Sequence, residues 1–207
     1  MPEYKFIYLP LRARGEISRL LFAVGGVAYE DCRVKDADWP SLKKTTPYGQ
    51  LPILEVEGEV ICQSRAIEIF LARRFGLCGK NDIQEAKVIM IRECCADLWD
   101  KCTSIYLEKD ETKKGELKKA FEEGTLITYM TNLQKFLNQN KGGDGYFVGD
   151  SITYADLTFQ HYLDLVKPLA KVDVPWDKWP KLKALNERVK SHPKVADWIA
   201  KRPVTNL

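Results

Sequence analysis

Side chains able to donate to an anion or to a thiolate concentrate in the first third of this 207-residue chain. Tyr8 ends a short alternating run and is followed by the loop from Leu9 to Ala13, so its hydroxyl either projects into an open site or simply meets water above a packed ring. Arg14 stands at a helix start, where the helix dipole disfavours a cation; it is either a surface arginine or a charge placed to hold an anion. Trp39 and Lys43 share a short polar turn in which an indole N–H and an ammonium could both donate, unless the tryptophan merely packs. The segment Pro47-Tyr48-Gly49-Gln50-Leu51-Pro52 leads into a strand. A proline at a strand start lacks a ladder donor and can be cis in a tight turn or an ordinary trans residue. In the cis case the backbone of Leu51 is free to pair with an extended, peptide-like ligand. Gln63-Ser64 opens a helix whose first N–H groups suit a carboxylate; position 67 is Ile67, so no capping-box glutamate competes for that end, and Ser64 alternatively only caps. Taken together, these residues describe a groove with backbone pairing at Leu51, anion donors at both ends and a hydroxyl near its middle. A short, doubly anionic peptide carrying a thiol fits that description.

Positioning these residues requires a small mixed sheet. Tyr4 to Leu9 alternates as a strand, Ile17 to Val24 has helical apolar spacing, and Tyr29 to Val34 reads as a second strand. Pro52 to Val56 and Val60 to Cys62 flank Glu57-Gly58-Glu59, a hairpin signal, and Ser64 opens a helix with Ile67, Phe70, Leu71 and Phe75 on one face. The order β-α-β, irregular stretch, β-β-α predicts a parallel pair, an antiparallel pair and helices on the faces, which is a thioredoxin-like layout. After Phe75-Gly76 strand signals stop, and residues 84–108, 112–140, 153–171, 179–191 and 193–202 all read as helices. The predicted organisation is α/β plus all-α: a thioredoxin-like domain over 1–76, a Gly-punctuated linker over 77–82 and a helical domain over 83–207, with the site in the crevice between the domains. Ile152-Thr153-Tyr154-Ala155-Asp156-Leu157 predicts a reciprocal cap between Thr153 and Asp156 with Ile152 stapled to Leu157, a folding device with no catalytic role.

Composition narrows the function classes. Surface scaling predicts that about 70% of the unfolded surface is buried in a chain of this mass, so a real core is possible. Basic and acidic residues number 32 and 29 and give a formal charge of +3; the signs are mixed along the chain, as in Lys113-Lys114-Gly115-Glu116, so nucleic acid is not an expected partner. Glu3 and Lys5 interrupt any signal-like segment and no apolar run is long enough to span a bilayer, so a cytoplasmic location is expected. The six cysteines fit neither a disulfide framework nor zinc spacing and read as reduced thiols. With two histidines, His161 and His192, a histidine-rich metal site is excluded, and no metal is expected.

The set Tyr8, Arg12, Arg14 and Glu16, then Ala37-Asp38-Trp39-Pro40, Pro47-x-Gly-x-x-Pro52 and Gln63-Ser64, resembles sigma-class glutathione transferases, a group that includes haematopoietic prostaglandin D synthases and invertebrate members. The resemblance continues through Gly149-Asp150-Ser151-Ile152-Thr153-Tyr154-Ala155-Asp156 and the segment from Trp198 to Leu207. It implies that Tyr8 donates to the glutathione sulfur with Arg14 beside it, and that Trp39 and Lys43 hold the glycyl carboxylate with Gln50 nearby. It further implies that Leu51, before Pro52, pairs with the cysteinyl backbone, and that Gln63 and Ser64 grip the γ-glutamyl end. Asp97 would reach the γ-glutamyl amine in a neighbouring subunit, which implies a homodimer. Leu9, Trp99, Cys102, Thr158 and Leu207 would line the hydrophobic substrate site. Five departures stand out. Leu9 replaces the usual Phe; the usual R-G-R-A-E reads Arg12-Ala13-Arg14-Gly15-Glu16, so the glycine has moved; Gln50 replaces a position often basic; and Ser104 replaces a Trp, while the acidic cluster near Asp97 is reduced to Glu93 and Asp97. The implied function is conjugation of the glutathione thiolate to small hydrophobic electrophiles, in detoxification, with glutathione as cosubstrate and no other cofactor. The alternatives are glutathione-dependent prostaglandin D synthesis and a non-catalytic, crystallin-like or ligand-carrying role.

Overall fold

The computed structural model of the chain describes residues 3–205 and 207, and these divide into two compact units, one of residues 3–77 with 193–205 and 207 and one of residues 78–192. In the first, strands β1 (Tyr4–Tyr8), β2 (Glu30–Arg33), β3 (Ile53–Val56) and β4 (Glu59–Cys62) form one sheet in the order β2-β1-β3-β4. β1 and β2 are parallel, with Tyr8 opposite Arg33, and are joined through α1 (Glu16–Gly25). The pairs β1/β3 and β3/β4 are antiparallel. Glu57 and Gly58 both take positive φ, 53° and 80°, so the β3–β4 hairpin closes on a tight two-residue turn one residue earlier than expected. Alternation along β1 splits its side chains between the two faces. Tyr4 meets Phe22 of α1 edge-on at 5.4 Å and Phe6 and Tyr8 follow on that side, whereas Ile7 packs with Val34 and Ile53 against Trp39, Leu42, Leu51 and Cys62.

Two segments differ from expectation. The polar turn at Trp39 is a short helix, α2 (Trp39–Lys43), with Pro40 in its first turn, where the missing N–H is not needed. Its end is closed by the Thr45 and Thr46 hydroxyls, which donate to the Leu42 and Lys43 carbonyls at 2.8 and 3.0 Å. The last helix, α9 (Pro193–Lys201), and the segment after it group with the first unit instead of with the helical one. The reason is a buried carboxylate. Glu16 is 1% exposed and accepts from Trp198 Nε1 at 2.8 Å and Arg202 Nη1 at 2.6 Å, with the buried Arg19 at 3.6 Å. Lys194 Nζ adds a bond to the Val24 carbonyl at 2.8 Å, and the Arg12 N–H donates to the Leu207 carbonyl at 2.7 Å. A carboxylate removed from water is tolerated only with such partners.

α3 (Ser64–Arg74) is the last helix of the first unit before the chain enters the second, and α4 (Asp82–Leu107), α5 (Glu111–Ala120), α6 (Leu126–Gln139), α7 (Tyr154–Ala170) and α8 (Pro180–Ser191) build the second. The expected continuous helix over 112–140 is interrupted by a π-helical turn, Phe121–Thr125. Gly124, a poor helix former, lies in that turn, and Phe121 at its start is buried. α7 is buried along almost its whole length and opens with the expected cap: Asp156 accepts from the Thr153 N–H at 2.8 Å and hydroxyl at 2.7 Å, and also from the Phe147 N–H at 2.9 Å. Buried Arg92 of α4 donates to the Tyr154 hydroxyl at 2.6 Å, so the two central helices are tied by a polar bond as well as by packing.

Candidate active site

Within the first unit the fold gathers most of the sequence candidates around one cavity of about 570 Å³. Arg14, Trp39, Lys43, Gln50, Leu51, Pro52, Gln63 and Ser64 all line it. They arrive from four places: the 3-10 turn Ala13–Gly15, α2, the segment before β3, and the junction of β4 with α3. The Leu51–Pro52 peptide is cis. Trp39 is only partly buried: its ring packs on the Ile7, Val34 and Ile53 cluster while another part faces the cavity. The lining holds two cations, Arg14 and Lys43, and no carboxylate, so an anionic ligand meets a positive field without desolvating a like charge.

Gln63 takes φ 73° and ψ 117°, a conformation uncommon for a residue with a side chain, at the N-terminus of α3. The kink ends β4 and turns the chain so that the first N–H groups of α3 begin at Ser64. Gln63 Nε2 donates to Gln50 Oε1 at 3.3 Å, linking two of the candidate residues. Three lining residues were not among the candidates: Tyr48, Gly49 and Cys62. Gly49 has φ 61°, the left-handed conformation that favours glycine, so this glycine makes the turn. Its signal was in plain view, as the glycine of Pro47-x-Gly. Cys62 carried no signal beyond its place at the end of a strand.

Tyr8 is not itself part of the cavity lining, but its hydroxyl accepts a bond from the backbone N–H of Arg14, which is, at 3.3 Å. Accepting that bond leaves the phenolic proton available for a ligand. The ring is 6% exposed, with Phe6 at 6.4 Å and the Arg19 guanidinium at 5.7 Å from its centre. Burial pushes the Tyr8 pKa above its ordinary value of 10.0, against the pull of the Arg14 N–H and of the Arg19 and Arg14 charges. Tyr8 is therefore a neutral O–H donor throughout the physiological range.

The remaining candidates lie elsewhere. Leu9 and Leu207 are half-buried residues of the first unit. Asp97 is exposed on α4 of the second. Trp99, Cys102 and Thr158 are buried in that unit: Trp99 stacks on Tyr162 at 5.0 Å, the Thr158 hydroxyl donates to the Tyr154 carbonyl at 2.9 Å, and burial pushes the Cys102 thiol up to about 12. Among the described residues, no group of three or more His, Cys, Asp or Glu side chains is placed to hold a metal ion, and no helix is long and apolar enough to cross a membrane.

Comparison with known proteins gives the same picture over the whole chain. Residues 5–73 match the family profile of the glutathione S-transferase N-terminal domain and residues 96–202 that of the C-terminal domain. The chain is 40% identical to S-crystallin SL11 of Nototodarus sloanii over 203 residues, 98% of each chain. It is equally 40% identical to the hematopoietic prostaglandin D synthase of Gallus gallus over 212 aligned positions, covering both chains fully. Among solved structures, a Nu-class glutathione transferase from Haemonchus contortus superposes with a TM-score of 0.88 at 36% identity, again covering 100% of each chain.

Proposed function

Because the chain belongs to the glutathione S-transferase family and is a glutathione transferase, we propose that the cavity beside Arg14 binds glutathione and presents its thiolate to small hydrophobic electrophiles. The observation that carries this reading is the cavity itself, which combines two cations, no carboxylate and a wall residue hydrogen-bonded to a buried tyrosine hydroxyl. Glutathione has two carboxylates, one amine and a thiol on an extended backbone. In the proposed pose the Trp39 indole and the Lys43 ammonium hold the glycyl carboxylate, with Gln50 adding a neutral donor. The Leu51 backbone pairs with the cysteinyl residue, and the Ser64 end of α3 takes the γ-glutamyl carboxylate with Gln63. The Tyr8 hydroxyl donates to the sulfur, and Arg14 keeps that end of the cavity positive. Thiolate formation is the step these groups assist; the thiolate then bonds to the electrophilic carbon, displacing halide from an aryl halide or adding to an alkenal whose enolate takes a proton from water, and the protein's further part is positioning.

The finer assignments belong to the same proposal. The chain is of the sigma type, is cytoplasmic and works in detoxification. It acts as a homodimer in which Asp97 of one copy meets the γ-glutamyl amine bound to the other, and Leu9, Trp99, Cys102, Thr158 and Leu207 contact the electrophile. Relatives named as a crystallin and as a prostaglandin synthase support two other readings at equal identity. One experiment separates them: initial rates with glutathione against a panel containing a chloronitrobenzene, reactive alkenals and prostaglandin H₂. Turnover of the aryl halide and alkenals supports the transferase reading. Isomerisation of prostaglandin H₂ alone supports the synthase, and absence of any turnover despite glutathione binding refutes both in favour of a carrier.

A further inference from the structure

A fully buried cation lies beside the tyrosine proposed to activate the thiol. The Arg19 side chain, in the first turn of α1, is 0% exposed, a state that arginine adopts only with partners for its charge and its N–H groups. Asp31 of β2 accepts from Nε at 3.1 Å, and Glu16 stands 3.6 Å from Nη1. Both carboxylates are shared: Asp31 also accepts from Arg33 at 2.9 Å and Glu16 from Arg202 at 2.6 Å. Charge balance thus accounts for the Nε edge of the guanidinium. The outer N–H groups turn instead to main-chain carbonyls, Nη1 donating to Leu11 at 2.6 Å and Nη2 to Leu9 at 3.3 Å.

Leu9 and Leu11 belong to the irregular loop that joins Tyr8 to the 3-10 turn carrying Arg14. Pro10 between them has no N–H to give, and among the described residues Arg19 is the one side chain that bonds to this loop. The guanidinium also lies 5.7 Å from the centres of both the Phe6 and the Tyr8 ring. One planar group therefore serves β1, the loop, α1 and β2 together. A lysine could not, because its ammonium has three donors on a flexible stem and no plane to lay on a ring. The 3.3 Å bond between the Tyr8 hydroxyl and the Arg14 N–H joins the two ends of the loop that Arg19 holds.

We propose that Arg19 is a positioning residue for Tyr8: by clamping the Leu9 and Leu11 carbonyls beside the phenol ring it fixes the loop between Tyr8 and Arg14, and with it the direction in which the hydroxyl meets the thiol of bound glutathione. This rests on the reading of Tyr8 as donor to the sulfur. Arg19 is buried and outside the cavity lining, so its effect passes through Tyr8. Its charge is not the agent, since Glu16 and Asp31 stand beside the guanidinium and offset it.

The test is an ultraviolet titration of the bound thiol in the wild type, Arg19→Lys, Tyr8→Phe and the double variant Tyr8→Phe/Arg19→Lys, with steady-state kinetics and urea midpoints beside it. Arg19→Lys keeps the charge and loses the grip on two carbonyls. It is expected to raise the bound-thiol pKa by about one unit and to lower kcat/KM near neutral pH by about tenfold. Glutathione affinity at a pH where the thiol is protonated should stay within about twofold, because the cavity lining is untouched. In the Tyr8→Phe background the same substitution should produce no further shift. A folded Arg19→Lys protein with the wild-type thiol pKa, whatever its urea midpoint, leaves Arg19 a structural part only and overturns the proposal. A shift that adds fully to that of Tyr8→Phe overturns it too, and either result leaves the Tyr8 reading intact. An unchanged thiol pKa in Tyr8→Phe overturns both. If Arg19→Lys does not fold, Asp31→Ala decides the matter, since the Asp31 side chain is 21% exposed and its loss frees Nε without removing the guanidinium. Loss of a negative charge acting through its field alone lowers a thiol pKa, whereas a loosened guanidinium raises it through Tyr8. A rise of about half a unit supports the proposal, and no change or a fall overturns it.

Discussion

Replacing Tyr8 with Phe removes one oxygen from the proposed site and leaves its packing in place. The ring keeps Phe6, Arg19 and the space above Gly15, and the one intramolecular bond lost is the long contact from Arg14 N at 3.3 Å. Fold stability should therefore change by less than about 1 kcal/mol. The effect on the thiol is larger. A hydrogen bond to a charged acceptor contributes about 1.5–3 kcal/mol, and each 1.36 kcal/mol of preference for the thiolate lowers its pKa by one unit, so the hydroxyl accounts for about one to two units. The tyrosine itself does not compete for the charge. Burial holds its pKa above 10.0, so the folded protein favours the neutral phenol; ionisation of Tyr8 begins to oppose folding only above pH 10 and plays no part at working pH. The rate with an aryl halide should rise with pH as the bound thiol ionises, and in Tyr8→Phe that rise should move up by about one to two units. The deficit is then about 10- to 100-fold below the wild-type thiol pKa and shrinks as the pH passes the variant's. Stopped at a single pH the assay would miss this convergence, so the full profile and the thiolate absorbance are both needed. Equal bound-thiol pKa values in the two proteins would refute the argument and assign activation to a backbone N–H or to Arg14.

Three further outcomes follow from the geometry. Gln50, now bonded to Gln63 at 3.3 Å, offers the glycyl carboxylate only a neutral amide; Gln50→Lys should tighten glutathione binding by about fivefold at low salt and lose most of that gain in high salt, and titration calorimetry showing no gain would mean the side chain points elsewhere. Asp97 is exposed, so Asp97→Ala should leave the unfolding midpoint nearly unchanged yet weaken glutathione binding by about tenfold or more if the carboxylate reaches the ligand amine of a second copy; an unchanged dissociation constant would remove that contact. Asp156→Ala should cost about 3 kcal/mol, because it strands the buried N–H groups of Thr153 and Phe147 together with a hydroxyl, and a urea midpoint close to the wild type would show that water replaces the carboxylate.

The sequence was most legible where a local rule decides the outcome. Alternation in Tyr4 to Tyr8, the Glu57-Gly58 turn and the Thr153–Asp156 cap each depend on residues within a few positions of one another, and each lies where patterning puts it, to within a residue. The cavity followed from motif spacing, because the segments bearing Arg14, Trp39, Lys43, Leu51 and Ser64 are edges of elements whose order was already readable. What escaped was decided by distant partners. The apolar spacing of residues 193–202 shows that they form a helix but not on which unit its buried face rests, and it is Glu16, 182 positions before Trp198 in the chain, that settles it. The π-helical turn at Phe121 was hidden for a related reason: apolar spacing reports a helix, but not which carbonyl each N–H within it reaches.

Glu16 also shows why the site and the fold place opposite demands on neighbouring residues. Its carboxylate is 1% exposed and bonded to both Trp198 and Arg202, so removing it takes this acceptor from a part-buried guanidinium and an indole N–H, a defect of about 1–3 kcal/mol. Arg14, two residues earlier, is exposed and lines the cavity, where an exposed ionic contact contributes at most about 1 kcal/mol to the fold. The 3-10 turn Ala13–Gly15 separates these two regimes. It is anchored on its helix side by the Glu16 cluster and on its strand side by the Tyr8 ring, while Arg14 in its middle lines the cavity. A turn fixed at both flanks can hold Ala13 at φ 30°, because the strain there is small compared with the bonds that would have to break to release it. Substitutions at Arg14, Lys43 and Gln50 therefore report on ligand binding, whereas those at Glu16, Arg19 and Trp198 report first on whether the frame that holds the donors survives.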